Sequence, residues 1–92
     1  MRKLYEFELD CGRMGSLTGR FVLDEEGQKQ LEESYGKVVY FGEVLGKHSD
    51  VQVKLAPNQF TVVTDNQEFL NMAARLGVSL NSGYNPFHYM ER

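Results

Sequence analysis

From Lys3 to Asp10 apolar and acidic residues alternate: Tyr5, Phe7 and Leu9 fall on one side, Glu6, Glu8 and Asp10 on the other. A period of two marks a strand with one buried face. Leu17, Phe21 and Leu23 continue in the same phase after a short stretch holding Gly12 and Gly15, so the two segments are expected to form a hairpin. Asp24 then offers a helix cap, with Glu25 and Glu26 in the electropositive first turn. The helix is expected to reach Ser34 and stop at Gly36. At 100° per residue, Glu25, Glu26, Lys29, Glu32 and Glu33 share one face, and Gly27, Leu31 and Tyr35 lie opposite. Glycine inside a helix costs about 1 kcal/mol relative to alanine, so Gly27 points to a close helix–sheet contact.

The run from Lys37 to Val44 is the most apolar, and Val38, Val39, Tyr40 and Phe41 occupy both of its faces. It therefore reads as a central strand covered on both sides. Val51, Val53 and Leu55 alternate with Gln52 and Lys54. After a turn at Ala56-Pro57-Asn58, Phe60 and Val62 are expected to form the antiparallel partner of that strand. Asp65 with Glu68 resembles a capping box, and Phe69, Met72, Ala73 and Leu76 follow the i, i+3, i+4, i+7 stripe of a helix facing the core, closed by Gly77. The predicted order is β-β-α-β-β-β-α. It describes one small α+β domain with a mostly antiparallel sheet of about five strands and two helices. Residues 78–92 form a tail rich in large side chains, among them Leu80, Tyr84, Phe87, Tyr89 and Met90. Disordered tails are poor in aromatics, so this one is expected to dock, on its own domain or on a second copy to make a homodimer.

Composition sharpens this picture only in places. Ninety-two residues with 41% hydrophobic content support a single domain with a thin core. No apolar run is long enough to span a bilayer, and the first residues lack the apolar stretch of a signal peptide. Cys11 is the sole cysteine, which excludes a disulfide framework and a cysteine-rich zinc site and suits a cytoplasmic protein. The net charge of −3 arises in residues 24–36, where five carboxylates face one lysine. Duplex nucleic acid is therefore not an expected ligand, because binding it requires clustered lysines and arginines.

Candidate chemistry is sparse. Gly42 to Ser49 looks like a phosphate-binding loop, but it has three residues between its glycines where the P-loop has four, and His48 separates Lys47 from Ser49. Gly12 to Arg20 sets glycines and hydroxyls beside Arg13 and Arg20, which makes an anion-binding nest conceivable beside the simpler reading of a hairpin turn. Cys11, His48 and Asp50 would form a nucleophilic site only if the fold brought them within hydrogen-bond reach. His48 and His88 are the only histidines and stand 40 residues apart, without ligand-like neighbours. No catalytic residue, metal or cofactor is therefore assigned.

The leading expectation is a protein-binding module: an adaptor, regulator or inhibitor rather than an enzyme. Its contact residues would be Glu25, Glu26, Glu32 and Glu33 on the acidic helix face, which suit a partner with a basic surface, and Tyr84, Phe87 and Tyr89 in the tail. The alternative is an anionic-ligand or enzymatic domain using Arg13, Arg20, Lys47 and His48 from the two glycine-rich loops.

Overall fold

In a computed structural model that describes residues 1–46 and 50–89, the expected hairpin is the frame of the fold. β1 (Lys3–Asp10) pairs antiparallel with β2 (Ser16–Leu23) along their whole length, from Lys3 opposite Leu23 to Asp10 opposite Ser16. The turn between them is a single 3-10 turn at Gly12–Met14, and the Asp10 carboxylate accepts the Gly12 N–H at 2.8 Å. α1 (Glu25–Ser34) follows, with the Asp24 side chain accepting the Gly27 N–H at 2.8 Å as the sequence implies. A methyl group on Gly27 would stand 3.1 Å from a Leu23 side-chain carbon, tighter than ordinary van der Waals contact.

The remaining strands complete two antiparallel sheets. β3 (Val38–Gly42) and β4 (Val51–Lys54) form a two-stranded sheet. β5 (Phe60–Thr64) and β6 (Ser82–Gly83) flank the hairpin in a four-stranded sheet ordered β5-β1-β2-β6. α2 (Gln67–Leu76) lies between β5 and β6 in the chain. The alternation of β1 and β2 assigns their faces. Phe7, Leu17 and Phe21 join Val39, Phe41, Val51, Val53 and Leu55 in one buried cluster, so the small sheet covers one face of the large one. The other face carries Glu6, Glu8, Thr18 and Arg20. α2 crosses it at the end where Leu4, Leu70 and Ala73 are buried.

Three expectations need correction. The strand at 37–44 is shorter and lies in the small sheet. Val39 and Phe41 are buried, while Val38 and Tyr40 are 63% and 53% exposed, so only one face is covered. β5 does not pair with β4. The Gln59 carboxamide accepts the Ala56 N–H and donates to the Lys54 carbonyl, turning the chain back so that β5 joins β1. There the Phe60 ring sits 5.2 Å from Phe7, its cross-strand neighbour.

The third correction concerns α2. Its cap is Asn66, whose side chain accepts the Phe69 N–H at 3.2 Å, rather than Asp65. Its buried residues are Leu70 and Ala73, while Phe69, Met72 and Leu76 are exposed at 48%, 48% and 68%. The Gln67 side chain fixes this rotation. Its oxygen accepts the Arg2 N–H at 3.3 Å and its nitrogen donates to the Arg2 carbonyl at 2.7 Å, while the Arg2 guanidinium donates to Asn71. Gln67, Asn71 and Leu70 are thereby turned toward the sheet, and the wider apolar stripe is left facing water. Leu70→Ala is accordingly expected to cost about 2–5 kcal/mol, and Leu76→Ala less than about 1 kcal/mol. Denaturant melts at low protein concentration check the order, and a larger loss for Leu76 would put the stripe inside.

Candidate functional site

The acidic residues lie as the helical period requires. Glu25, Glu26, Glu32 and Glu33 are exposed on α1, opposite the buried Leu31 and Ser34. Glu25 accepts a hydrogen bond from the Met1 amino group at 2.6 Å, and that ammonium holds its carboxyl below the usual carboxylate range. Glu26, Glu32 and Glu33 make no ion pair among the described residues. Beneath them Tyr5 and Tyr35 are raised above the ordinary phenol range, chiefly by burial and further by the Glu32 charge.

The tail rings pack inward. Tyr89 stands 4.7 Å and Tyr84 6.4 Å from the Phe41 ring, and Phe87 meets Phe21 edge-on at 6.2 Å. All three are half-buried against the core, with Pro86 fully buried among them. What brings the tail there is a backbone contact that hydrophobic patterning does not reveal. Gly83 lies directly opposite Gly19, and the Tyr84 N–H donates to the Thr18 carbonyl at 3.0 Å. A Cβ on Gly19 would fall 1.9 Å from the Tyr84 carbonyl oxygen, and one on Gly83 would fall 2.3 Å from the Thr18 oxygen, at a φ of +68° that already favours glycine. Asn81 adds a side-chain acceptor for the Val22 N–H at 3.2 Å.

The candidate anion contacts are not gathered. Arg13 is exposed in the hairpin turn, and Arg20 lies four residues up β2 from Ser16, roughly 13 Å by strand geometry. Arg20 is also engaged: its Nη2 and Nε stand 3.0 and 3.1 Å from one Glu6 oxygen. Any anion entering the open hollow of about 490 Å³ that Arg20 lines would meet the Glu6 carboxylate there. Lys47 and His48 lie outside the described residues. Cys11 is a free thiol packed against the core at the end of β1, and the Asp50 carboxylate holds the Tyr40 phenol above its ordinary range. Among the described residues no three His, Cys, Asp or Glu side chains gather in a metal-binding group, and no helix is long and apolar enough to cross a membrane.

A different surface emerges on α2. Phe69, Met72 and Leu76, joined by Val78 at 55% exposure, rim a shallow hollow of about 150 Å³ whose lining is entirely apolar. Gln67 and Asn71 face Arg2, close to the start of α1, so by helical period this stripe lies on the flank of α2 turned away from α1. Comparison with known families, with curated proteins and with solved structures finds no match for this chain.

The stripe is visible in the sequence as a pattern that hydrophobicity alone assigns to the core. The discriminating signal was the second apolar line, Leu70 and Ala73, flanked by the polar Gln67 and Asn71 that tie the helix down. For the tail, Gly19→Ala is expected to lower stability by at least about 2 kcal/mol, because the obstacle is main chain and cannot swing aside. Limited proteolysis should then cut first within residues 80–89, and an unchanged melt would mean that β6 is not docked through this contact.

Proposed function

We propose that this chain is a small protein-binding module, working in the cytoplasm as an adaptor, regulator or inhibitor. The observation that carries this reading is the row of large apolar side chains on α2 left in water beside an apolar hollow, since soluble proteins seldom leave such a patch without a use. In this reading α2 supplies the adhesive contact. The acidic face of α1 supplies long-range attraction for a partner with a basic surface, because complementary charge raises association rate more than it raises final affinity. Tyr84, Phe87 and Tyr89 act from behind, by completing the core that holds both helices in place.

Two measurements test the division of labour. Leu76→Glu is expected to leave the circular dichroism spectrum intact and to abolish recovery of the partner that wild-type protein retains from extracts of its own cells. Equal recovery by both would remove α2 from the contact. Reversal of Glu32 and Glu33 to lysine is expected to change stability by less than about 0.5 kcal/mol each. It should slow association with that partner several-fold at low ionic strength, and the difference should vanish as salt shortens the Debye length to roughly 3 Å near 1 M. A rate unaffected at any salt would reduce the face to solvated surface.

A further inference from the structure

We propose, building on the protein-binding function above, that the α2 face is closed by α2 of a second copy, the two helices packed antiparallel across a two-fold axis. Two properties of this helix select that occupant. The first is charge. Glu68 lies in the first turn of α2 and Arg75 in the last, seven residues apart, which is two turns less 20° and so the same flank of the apolar stripe. Both are exposed, and neither makes an ion pair among the described residues. A two-fold axis perpendicular to a pair of antiparallel helices keeps flanks together and exchanges ends. Glu68 of each copy therefore comes beside Arg75 of the other, giving two opposite-charge contacts from one pair of residues. A parallel arrangement would not produce this match. The antiparallel one also sets the helix dipoles in opposition, which is favourable.

The second property is area. Phe69, Met72, Leu76 and Val78 together expose on the order of 400 Å² per copy, about half of what one partner contributes to a stable specific complex. Two such faces bury about 800 Å² before the polar rim of Glu68 and Arg75 is counted, below the roughly 1,200 Å² where standard specific interfaces begin and in the range of weak, transient contacts. The dimer is accordingly weak. It forms where the protein is concentrated and yields the same face to a tighter partner.

Sedimentation of purified full-length protein from about 10 µM to 1 mM, at low salt, tests the assembly. Wild type should pass from monomer to dimer across that range, and Leu76→Glu should stay monomeric throughout. Glu68→Arg and Arg75→Glu, each alone, turn both rim contacts repulsive and should weaken the dimer roughly tenfold. An equimolar mixture of those two variants should associate about as well as wild type, because each then meets its complement on both sides of the axis. That recovery separates a contact between copies from simple matching of each charge to its own helix dipole, which mixing cannot restore. Three results would overturn the dimer: a wild type monomeric at 1 mM, a dimer that survives Leu76→Glu, or a mixture no better than its components. The first of these leaves the protein-binding reading standing, since that is tested by partner recovery and not by self-association. The second would move the contact elsewhere, for instance to the outer edge of β5, where Val62 and Val63 are exposed.

Discussion

Eight residues of β1 pair with eight of β2 without a break, and that register decides what each layer can be made of. Because side chains alternate, one unbroken ladder sends Phe7, Leu17 and Phe21 to the side that the small sheet covers and Glu6, Thr18 and Arg20 to the other. A slip of one residue would exchange the two sets and leave β3 and β4 nothing to pack on. The flanking strands are short by comparison, and each borrows its position from the hairpin. β5 is fixed by the contact of Phe60 with Phe7, and β6 by the approach of Gly83 to Gly19.

Structure is legible in the sequence wherever a local rule decides the outcome. The β1 and β2 periods, the Asp24 cap and the outward carboxylates of α1 all depend on residues within a few positions of one another. The α+β class and the element order up to α2 followed from them. Errors came where a distant partner decides. The run Val38–Phe41 reads as doubly buried because valine and tyrosine tolerate water on one side of a two-stranded sheet without any change in pattern. The partner of β5 was set by a turn whose hydrogen bonds come from the side chain of Gln59. For α2 the period was right and the rotation wrong, because hydrophobic periodicity locates a stripe but does not say what stands opposite it.

That rotation is also why the apolar stripe on α2, which the sequence pattern assigns to the core, lies in water. A stripe containing phenylalanine, methionine and leucine outweighs one containing leucine and alanine by any measure of hydrophobicity, so the helix would be expected to bury the former. The protein does the reverse, and exposes the larger set at a hydrophobic cost that folding alone does not demand. The tail shows the complementary behaviour: of the two dockings its composition allows, its aromatic rings take the one on their own core. Which apolar group ends up inside is decided by backbone fit: two facing glycines admit the tail.

The carboxamide of Gln67 presents one acceptor and one donor to the two main-chain groups of Arg2. A neighbouring strand would offer the same pair, so the side chain serves the sheet as a substitute peptide unit at a place where the ladder has no further strand to use. An amide carries no charge at any physiological acidity, and its grip on the backbone is indifferent to counterions. The charges at the rim of the apolar stripe are screened by them. In the proposed assembly, ionic strength is therefore a dial on how this helix meets its partner, while its seat on the sheet does not depend on it.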